Sequence, residues 1–351
     1  MKIVYRDENE DIFLKMWNEY LDNKISSYKY TLLNLEYLIL YSKYLIKDKS
    51  FIIIENNKCV GICFLPIENI KEIVSISISG GYVFSPLATE KRIERKIFLE
   101  IEKISEDCKI QKISFSLDPL VLEYKDKFNI LLEYKFIDTS TSDCLINLKL
   151  ERSDLWKNLR QSYKALINRV MKDNSFEILI IDKDNANYEI HELYRNMHAK
   201  CAGGATRIKD TFDKQFEMLE NDGASLIGLK YNGIFIGFNY FFHFSKTVIY
   251  ASGADDPMYE SSKIPIYHVI LWNAIMYYKQ KNFDFIEFSQ PCGYNKVNGF
   301  NDYLDAKQIN ISHFKRGMGT KMIPAFRGIK YYSNELLISD VLLYKNMIEE
   351  K

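Results

Sequence analysis

The strongest constraint in this sequence is a pattern that is written twice. Between residues 224 and 289 an apolar run, ASLIGL, leads through Lys230-Tyr231-Asn232-Gly233 into IFIGFNYFFHF. Two β-rich runs joined by Asn-Gly specify a hairpin, because Asn and Gly accept the positive φ angles of a tight primed turn. A third strand is predicted at 247–254, then the polar loop DDPMYESSK. Pro265 opens a helix running to about residue 280, and FIEFS at 285–289 closes the unit. Upstream, SFIIIE, Asn56-Asn57-Lys58 and CVGICFLPI make a second hairpin of the same design. IVSISI, a loop, a helix over 91–106 and the strand KISFS at 112–116 follow it. Gly61 and Phe115 are 54 positions apart, and Gly237 and Phe288 are 51 apart. This order and spacing predict an α/β chain of two tandem units, each a mixed, mostly antiparallel sheet flanked by helices.

The remaining segments fit around that frame. Helices are expected at 11–21 and 32–45, two strands within 131–150, and a helix over 153–172 capped by Ser153 or Asp154. FEILII reads as a strand, and helices follow at 188–200 and 210–221, the first ended by Gly203-Gly204. The expected division is 1–150, 151–332, and a C-terminal helix within 333–351 that packs back on the body. In the helix over 153–172, Leu155, Leu159, Leu166, Ile167 and Val170 take one face and Lys157, Arg160 and Lys164 the other. A solvated face is the ordinary reading of such a stripe. Residues 306–332 hold Lys307, Lys315, Arg316, Lys321, Arg327 and Lys330 and no acidic residue. Within them, the glycines of Phe314-Lys315-Arg316-Gly317-Met318-Gly319 would allow a tight turn and close approach of backbone to a ligand, with cations for phosphate.

Lys plus Arg equal Asp plus Glu at 47 each, so bulk charge does not nominate nucleic acid. The six cysteines (59, 63, 108, 144, 201 and 292) lack metal-ligand spacing, and no metal is expected. With no signal-peptide pattern, they predict a cytoplasmic protein. No apolar run reaches the roughly 20 residues of a membrane-spanning helix. Cys201 and Cys292 could be proposed as nucleophiles, but nothing around them marks an activated thiol.

Four stretches carry a family resemblance. They are Met197-His198 with Ala205-Thr206-Arg207, Thr211-Phe212 and Gln215; Ile249-Tyr250-Ala251-Ser252-Gly253; Ser262, Pro265 and His268-Val269-Ile270-Leu271-Trp272; and His313-Phe314-Lys315-Arg316-Gly317-Met318-Gly319. In this order they resemble the FemAB-like branch of the GNAT acyltransferase superfamily, built as tandem GNAT-like domains. The likeness extends to the peptidoglycan-bridge (BioF2-like) type and is clearest over 150–330. It implies an N-acyltransferase that moves an activated acyl or aminoacyl group directly onto the amine of a small metabolite. An amino sugar, a nucleotide-linked sugar or a cell-envelope precursor is the implied acceptor. No tightly bound cofactor is implied. The donor would be acyl-CoA, another acyl thioester, or an aminoacyl-tRNA, the last being the one case with a nucleic-acid partner. One departure stands out. GNAT enzymes bind the coenzyme A pyrophosphate with a glycine-rich loop at a helix N-terminus. The loop here, 255–263, has no glycine and three carboxylates, and the loop near 85–91 also lacks the glycines.

Acyl transfer to an amine requires a neutral amine, a positioned carbonyl and stabilisation of the oxyanion. Lys315 is the candidate electrostatic stabiliser, and His198 and His268 are candidate acceptors of the amine proton. Arg207, with Thr206 and Gln215, is placed to clamp a carboxylate or phosphate. Tyr250, Arg160, Lys164 and Arg316 complete the candidate substrate-binding set, and Glu287 is expected to face solvent. The rival reading is a non-catalytic module binding a phosphorylated ligand or a protein partner.

Overall fold

Both predicted turns behave as their chemistry requires. In a computed structural model, which describes residues 1–22, 27–121, 128–289 and 306–349, Asn56 and Asn57 have φ of 50° and 59°. Asn232 and Gly233 have φ of 50° and 81°. Two successive left-handed residues match the twist of the flanking strands, so each pair closes a hairpin. The described residues of 1–142 and 324–351 form one unit, and those of 143–291 and 306–323 form the other.

The first unit opens with β1 (Lys2–Tyr5), α1 (Glu10–Asp22) and α2 (Leu32–Tyr41), the last capped by Thr31. Then come β2 (Leu45–Asp48), β3 (Phe51–Glu55), β4 (Lys58–Cys63), β5 (Pro66–Ile70) and β6 (Ile73–Ile76). Next are β7 (Val83–Phe84), β8 (Leu87–Ala88), α3 (Lys91–Asp107), β9 (Lys112–Ser116) and β10 (Ile137–Asp138). The expected single strand CVGICFLPI is two strands in different sheets. β4 lies in the order β1-β3-β4-β8, whereas β5 pairs with β2 and β6. The corner between them is Phe64-Leu65, both fully buried, followed by Pro66, which has no N–H to donate. Helix α3 lays Ile93 and Ile97 onto Gly61 of β4, where a Cβ would stand 2.9 Å from each.

The second unit comprises β11 (Thr141–Asn147), α4 (Arg152–Asn158), α5 (Gln161–Met171), β12 (Phe176–Ile181), α6 (Tyr188–Cys201) and α7 (Lys209–Glu220). It continues through β13 (Ala224–Tyr231), β14 (Ile234–Phe244), β15 (Thr247–Asp255), α8 (Ile266–Gln280), β16 (Phe285–Glu287), α9 (Ala306–Gly317) and β17 (Lys321–Ala325). The sheet order is β12-β13-β14-β15-β16-β11-β17, with β15 and β16 parallel and β12 through β15 antiparallel. The expected helix over 153–172 is broken at Leu159-Arg160, because the Arg160 N–H is taken by the carbonyl of Gly317 at 2.9 Å. Alternation along β14 sends Phe241 and His243 toward α8 and Tyr240 toward α6. Gly237 lets Ile266 of α8 sit directly on the sheet, since a Cβ there would stand 2.3 Å from Ile266.

The chain then re-enters the first unit. β18 (Arg327–Tyr331) pairs antiparallel with β9 and β10, and α10 (Asn334–Glu349) is tied down by Asp340, which accepts from Lys112 at 3.2 Å and Tyr331 at 2.7 Å. The basic segment therefore serves two ends. Arg327 is buried, with its Nε donating to the Thr139 carbonyl, and Lys330 pairs with Glu102. Neither is a surface cation awaiting phosphate.

Candidate active site

The regular ladder of the second unit breaks at β15. Across from β14, Tyr240 pairs with Ser252 and Phe241 with Tyr250, which leaves Ala251 as an extra residue. The bulge rephases the strand. Tyr250 faces α8 beside Phe241, with ring centroids 5.7 Å apart, while Ser252 turns to the opposite face and meets α6. On its other edge β15 pairs with β16 only at Thr247, Val248 and Ile249. From Tyr250 onward it has no strand partner on that edge among the described residues, whereas β16 stays joined to β11. Among the described residues, β15 and β16 are therefore paired only as far as Ile249.

The α6 face of this region is polar and buried. Asn187 caps α6, and His191, Tyr194 and His198 recur at helical spacing on its inner side. His191 Nδ1 lies 3.0 Å from the Tyr240 hydroxyl, and the Tyr194 hydroxyl lies 2.6 Å from Ser252 Oγ. Gly203, at φ 74°, ends α6 and turns the chain so that Arg207 comes back over it. Arg207 Nη2 donates to Gln215 Oε1 at 2.7 Å and lies 3.4 Å from the Tyr194 hydroxyl. Its guanidinium sits 4.0 Å from the Phe212 ring centroid. His198 packs edge-on against Phe212, and its Nδ1 is buried with no partner. Burial, and then the Arg207 charge, hold the His198 imidazole below its usual pKa, so it is neutral at pH 7.

The mouth of α8 is acidic and already paired. Asp256 accepts from Lys200 at 2.7 Å and caps a short 3-10 turn at Met258. Asp255 accepts from the Tyr267 hydroxyl at 2.8 Å and from Cys201 at 3.4 Å. Burial raises the Cys201 thiol, the opposite of activation.

On the α8 side, His268 stacks edge-on against Tyr163 and Phe314, with centroids 4.3 and 4.9 Å apart. Burial, assisted by Arg160, pushes its pKa down to about 4. Arg160 donates to the Tyr163 hydroxyl and the His313 carbonyl, each at 3.2 Å. Lys164 donates to the Lys157 carbonyl and Arg316 to that of Ser312. Burial raises the Cys144 thiol, and a hydrogen bond with Thr320 and then the charges of Lys315 and Arg316 oppose that rise. The two glycines there serve the protein itself. A Cβ on Gly317 would stand 2.4 Å from the Tyr163 ring, and Gly319, at φ 83°, turns beside Asn158.

Arg207, Gln215 and His198 are thus brought together on one face, with exposed Thr206 beside Arg207. Tyr250, the first residue of β15 past its pairing with β16, faces α8. His268, Arg160 and Phe314 form a separate cluster on that side. Glu287 is buried, contrary to the expected solvent exposure, because β16 is paired on both edges. Cys292 lies outside the described residues. Ser252 belongs to a stretch that carries the family resemblance, but Tyr194, Tyr240, His191 and Asn239 were not singled out from the sequence. Tyr and Asn are too common in this chain to signal a site, and it is the bulge that turns Ser252 toward Tyr194 on the α6 face, while Asn239 faces α8. His191, Glu192 and Asp213 form a cluster among the described residues that could hold a metal ion. Both carboxylates are already neutralised, Glu192 by Arg195 at 2.6 Å and Asp213 by Lys209 at 2.8 Å.

No family model matches the chain, and no curated protein sequence is similar to it. Solved structures are. FemX is 12% identical and superposes with a TM-score of 0.62 over 97% of this chain and 99% of its own. L-PGS from Bacillus licheniformis is 10% identical, with a TM-score of 0.59 over 94% and 96%. The fold is that of the FemAB-like tandem GNAT proteins. A tandem GNAT protein from the clavulanic acid biosynthesis pathway is 7% identical, with a TM-score of 0.52 over 95% and 98%. No helix among the described residues is long and apolar enough to cross a membrane.

Proposed function

We propose that the second unit transfers an activated acyl or aminoacyl group to the amine of a small metabolite, an amino sugar, nucleotide-linked sugar or envelope precursor. The observation that carries this reading is the bulged β15, which parts from β16 beyond Ile249 beside a buried Arg207-Tyr194-Gln215 network. The neighbours' names, FemX and L-PGS among them, agree with it. The acyl carbonyl would lie along the free edge of β15. The amine nitrogen attacks the carbonyl carbon, forming the C–N bond, and the tetrahedral oxyanion collapses by expelling the donor's thiolate or ribose oxygen. Neutral His198 takes the amine proton, Arg207 holds an anionic group of the acceptor, and Lys315 offers positive charge to the oxyanion or a phosphate. His268 is the second candidate base. Thr206 and Tyr250 would be further substrate contacts, and Arg160, Lys164 and Arg316, on the His268 side, would take a phosphate-bearing part of the substrate.

Donor delivery by the usual coenzyme A pose is disfavoured. The first turn of α8 already has the Asp255 carboxylate bound by Tyr267, and a pyrophosphate there would meet like charge. An aminoacyl ester or a thioester held in another pose is consistent with that electrostatics. Thermal-shift titration against acetyl-CoA, a stable aminoacyl-adenosine amide and UDP-amino sugars tests the reading. A ligand present at a hundredfold excess over its dissociation constant stabilises by about 2.7 kcal/mol. The expected result is a shift with one donor class and one acceptor, reduced in Arg207→Ala and Lys315→Ala. No shift with any of them would sink the reading.

A further inference from the structure

Asn239 lies in the middle of β14, opposite Gly253 of β15. Strand alternation gives its side chain the α8 face, the face of Phe241 and Tyr250. The residue is fully buried, and neither its Oδ1 nor its Nδ2 has a hydrogen-bond partner. Another buried carboxamide of the chain, Asn129, donates to Asp138, Ser140 and Arg327. A carboxamide removed from water with donor and acceptor both unmet opposes folding, and such groups in native proteins call for a specific explanation.

Its surroundings suggest one. A Cβ on Gly253 would stand 2.6 Å from Asn239 Oδ1, 2.6 Å from Tyr267 Cε1 and 2.7 Å from the Tyr250 hydroxyl. Three side chains therefore crowd together over a position that only glycine leaves open. The Tyr267 hydroxyl is committed to Asp255, but that of Tyr250 has no partner among the described residues. The Tyr250 ring also lies 5.9 Å from that of Phe288, which directly follows β16. Asn239 is thus an unpaired buried carboxamide beside the Tyr250 hydroxyl, next to the end of the β15–β16 pairing.

We propose that Asn239 is a specificity-determining residue. With Tyr250, it receives a hydrogen-bonding substituent, amino or hydroxyl, carried by the acyl group that enters between β15 and β16. The inference rests on the transfer reading above. A plain hydrocarbon acyl group leaves the carboxamide unmet, whereas a polar one supplies the missing partner. Sites built to hydrogen-bond a substituent reject the analogue lacking it far more strongly than apolar pockets reject a missing methylene.

Two matched donor pairs test this by thermal shift on the full chain. One is 3-hydroxybutyryl-CoA against butyryl-CoA. The other is 3′-alanylamino-3′-deoxyadenosine against its propionylamino analogue. The wild type is expected to bind the polar member of one pair at least about tenfold more tightly. Asn239→Leu is close in size and removes both orphaned atoms, so its Tm should equal or exceed that of the wild type while the preference disappears. Equal binding of both members by the wild type, a preference that survives in Asn239→Leu, or a lowered Tm in that variant would each overturn the inference. Binding of no donor at all would instead count against the transfer reading beneath it.

Discussion

Removing one oxygen atom tests whether the bulge on β15 is held from outside the strand. In Tyr194→Phe the ring keeps its packing against Tyr240 and Phe238, but the hydroxyl that reaches Ser252 Oγ at 2.6 Å is gone. Tyr194 is fully buried and Ser252 partly so, so water replaces the lost bond only in part. Arg207 loses a contact at 3.4 Å and keeps Gln215 at 2.7 Å and the Phe212 ring. One buried hydrogen bond with a partly compensated partner is worth about 1–2 kcal/mol. For a unit of this size that corresponds to a fall in Tm of about 2–8 °C. Circular dichroism melts of Tyr194→Phe, Ser252→Ala and the double variant form a cycle. The double variant should cost little more than Tyr194→Phe alone, because both changes remove one bond. Strict additivity, or a Tyr194→Phe variant as stable as the wild type, would refute the claim that this pair fixes the bulge.

Other outcomes follow from the same contacts. Gly317→Ala should destabilise by about 1–3 kcal/mol, because its Cβ would meet the Tyr163 ring at 2.4 Å, and urea midpoints measure this. Arg327→Leu should destabilise by about 2–4 kcal/mol through the broken contact with the Thr139 carbonyl, yet leave ligand-induced shifts unchanged in size. The chain should lose stability on acidification. His191, His243 and His268 have pKa values pushed down by burial from 6.5 to about 4, so between those values the unfolded chain binds protons the folded one does not. Each contributes a loss of up to about 1.4 kcal/mol per pH unit across that window, and urea titrations at pH 7, 6 and 5 would reveal a flat profile if the imidazoles were solvated.

The fold was legible where local chemistry decides it. Asn56-Asn57 and Asn232-Gly233 announce their turns, and the order of strand β15, helix α8 and strand β16 follows from the spacing of apolar runs. What the sequence hid depends on distant partners. Nothing in Leu159-Arg160 forbids a continuous helix, and the break comes from the Gly317 carbonyl some 150 residues on. Arg327–Tyr331 reads only as part of a basic stretch, and its strand neighbours β9 and β10 lie far back in the chain. At the site, charge drew attention to Arg207, His198 and Lys315. The neutral residues beside Arg207 and His198 are invisible until Ala251 bulges and turns Ser252 toward Tyr194.

Mass spectrometry of one reaction mixture tests the central claim most directly. Purified protein is incubated with UDP-amino sugars and either acyl-CoA or aminoacyl-tRNA, and both the small molecules and the intact protein are weighed. Direct transfer predicts an amide product on the acceptor, lost in Arg207→Ala, with no acyl mass on the protein at any time. An acyl group trapped on a cysteine would contradict the direct mechanism. No acylated acceptor from any donor would contradict the transferase itself.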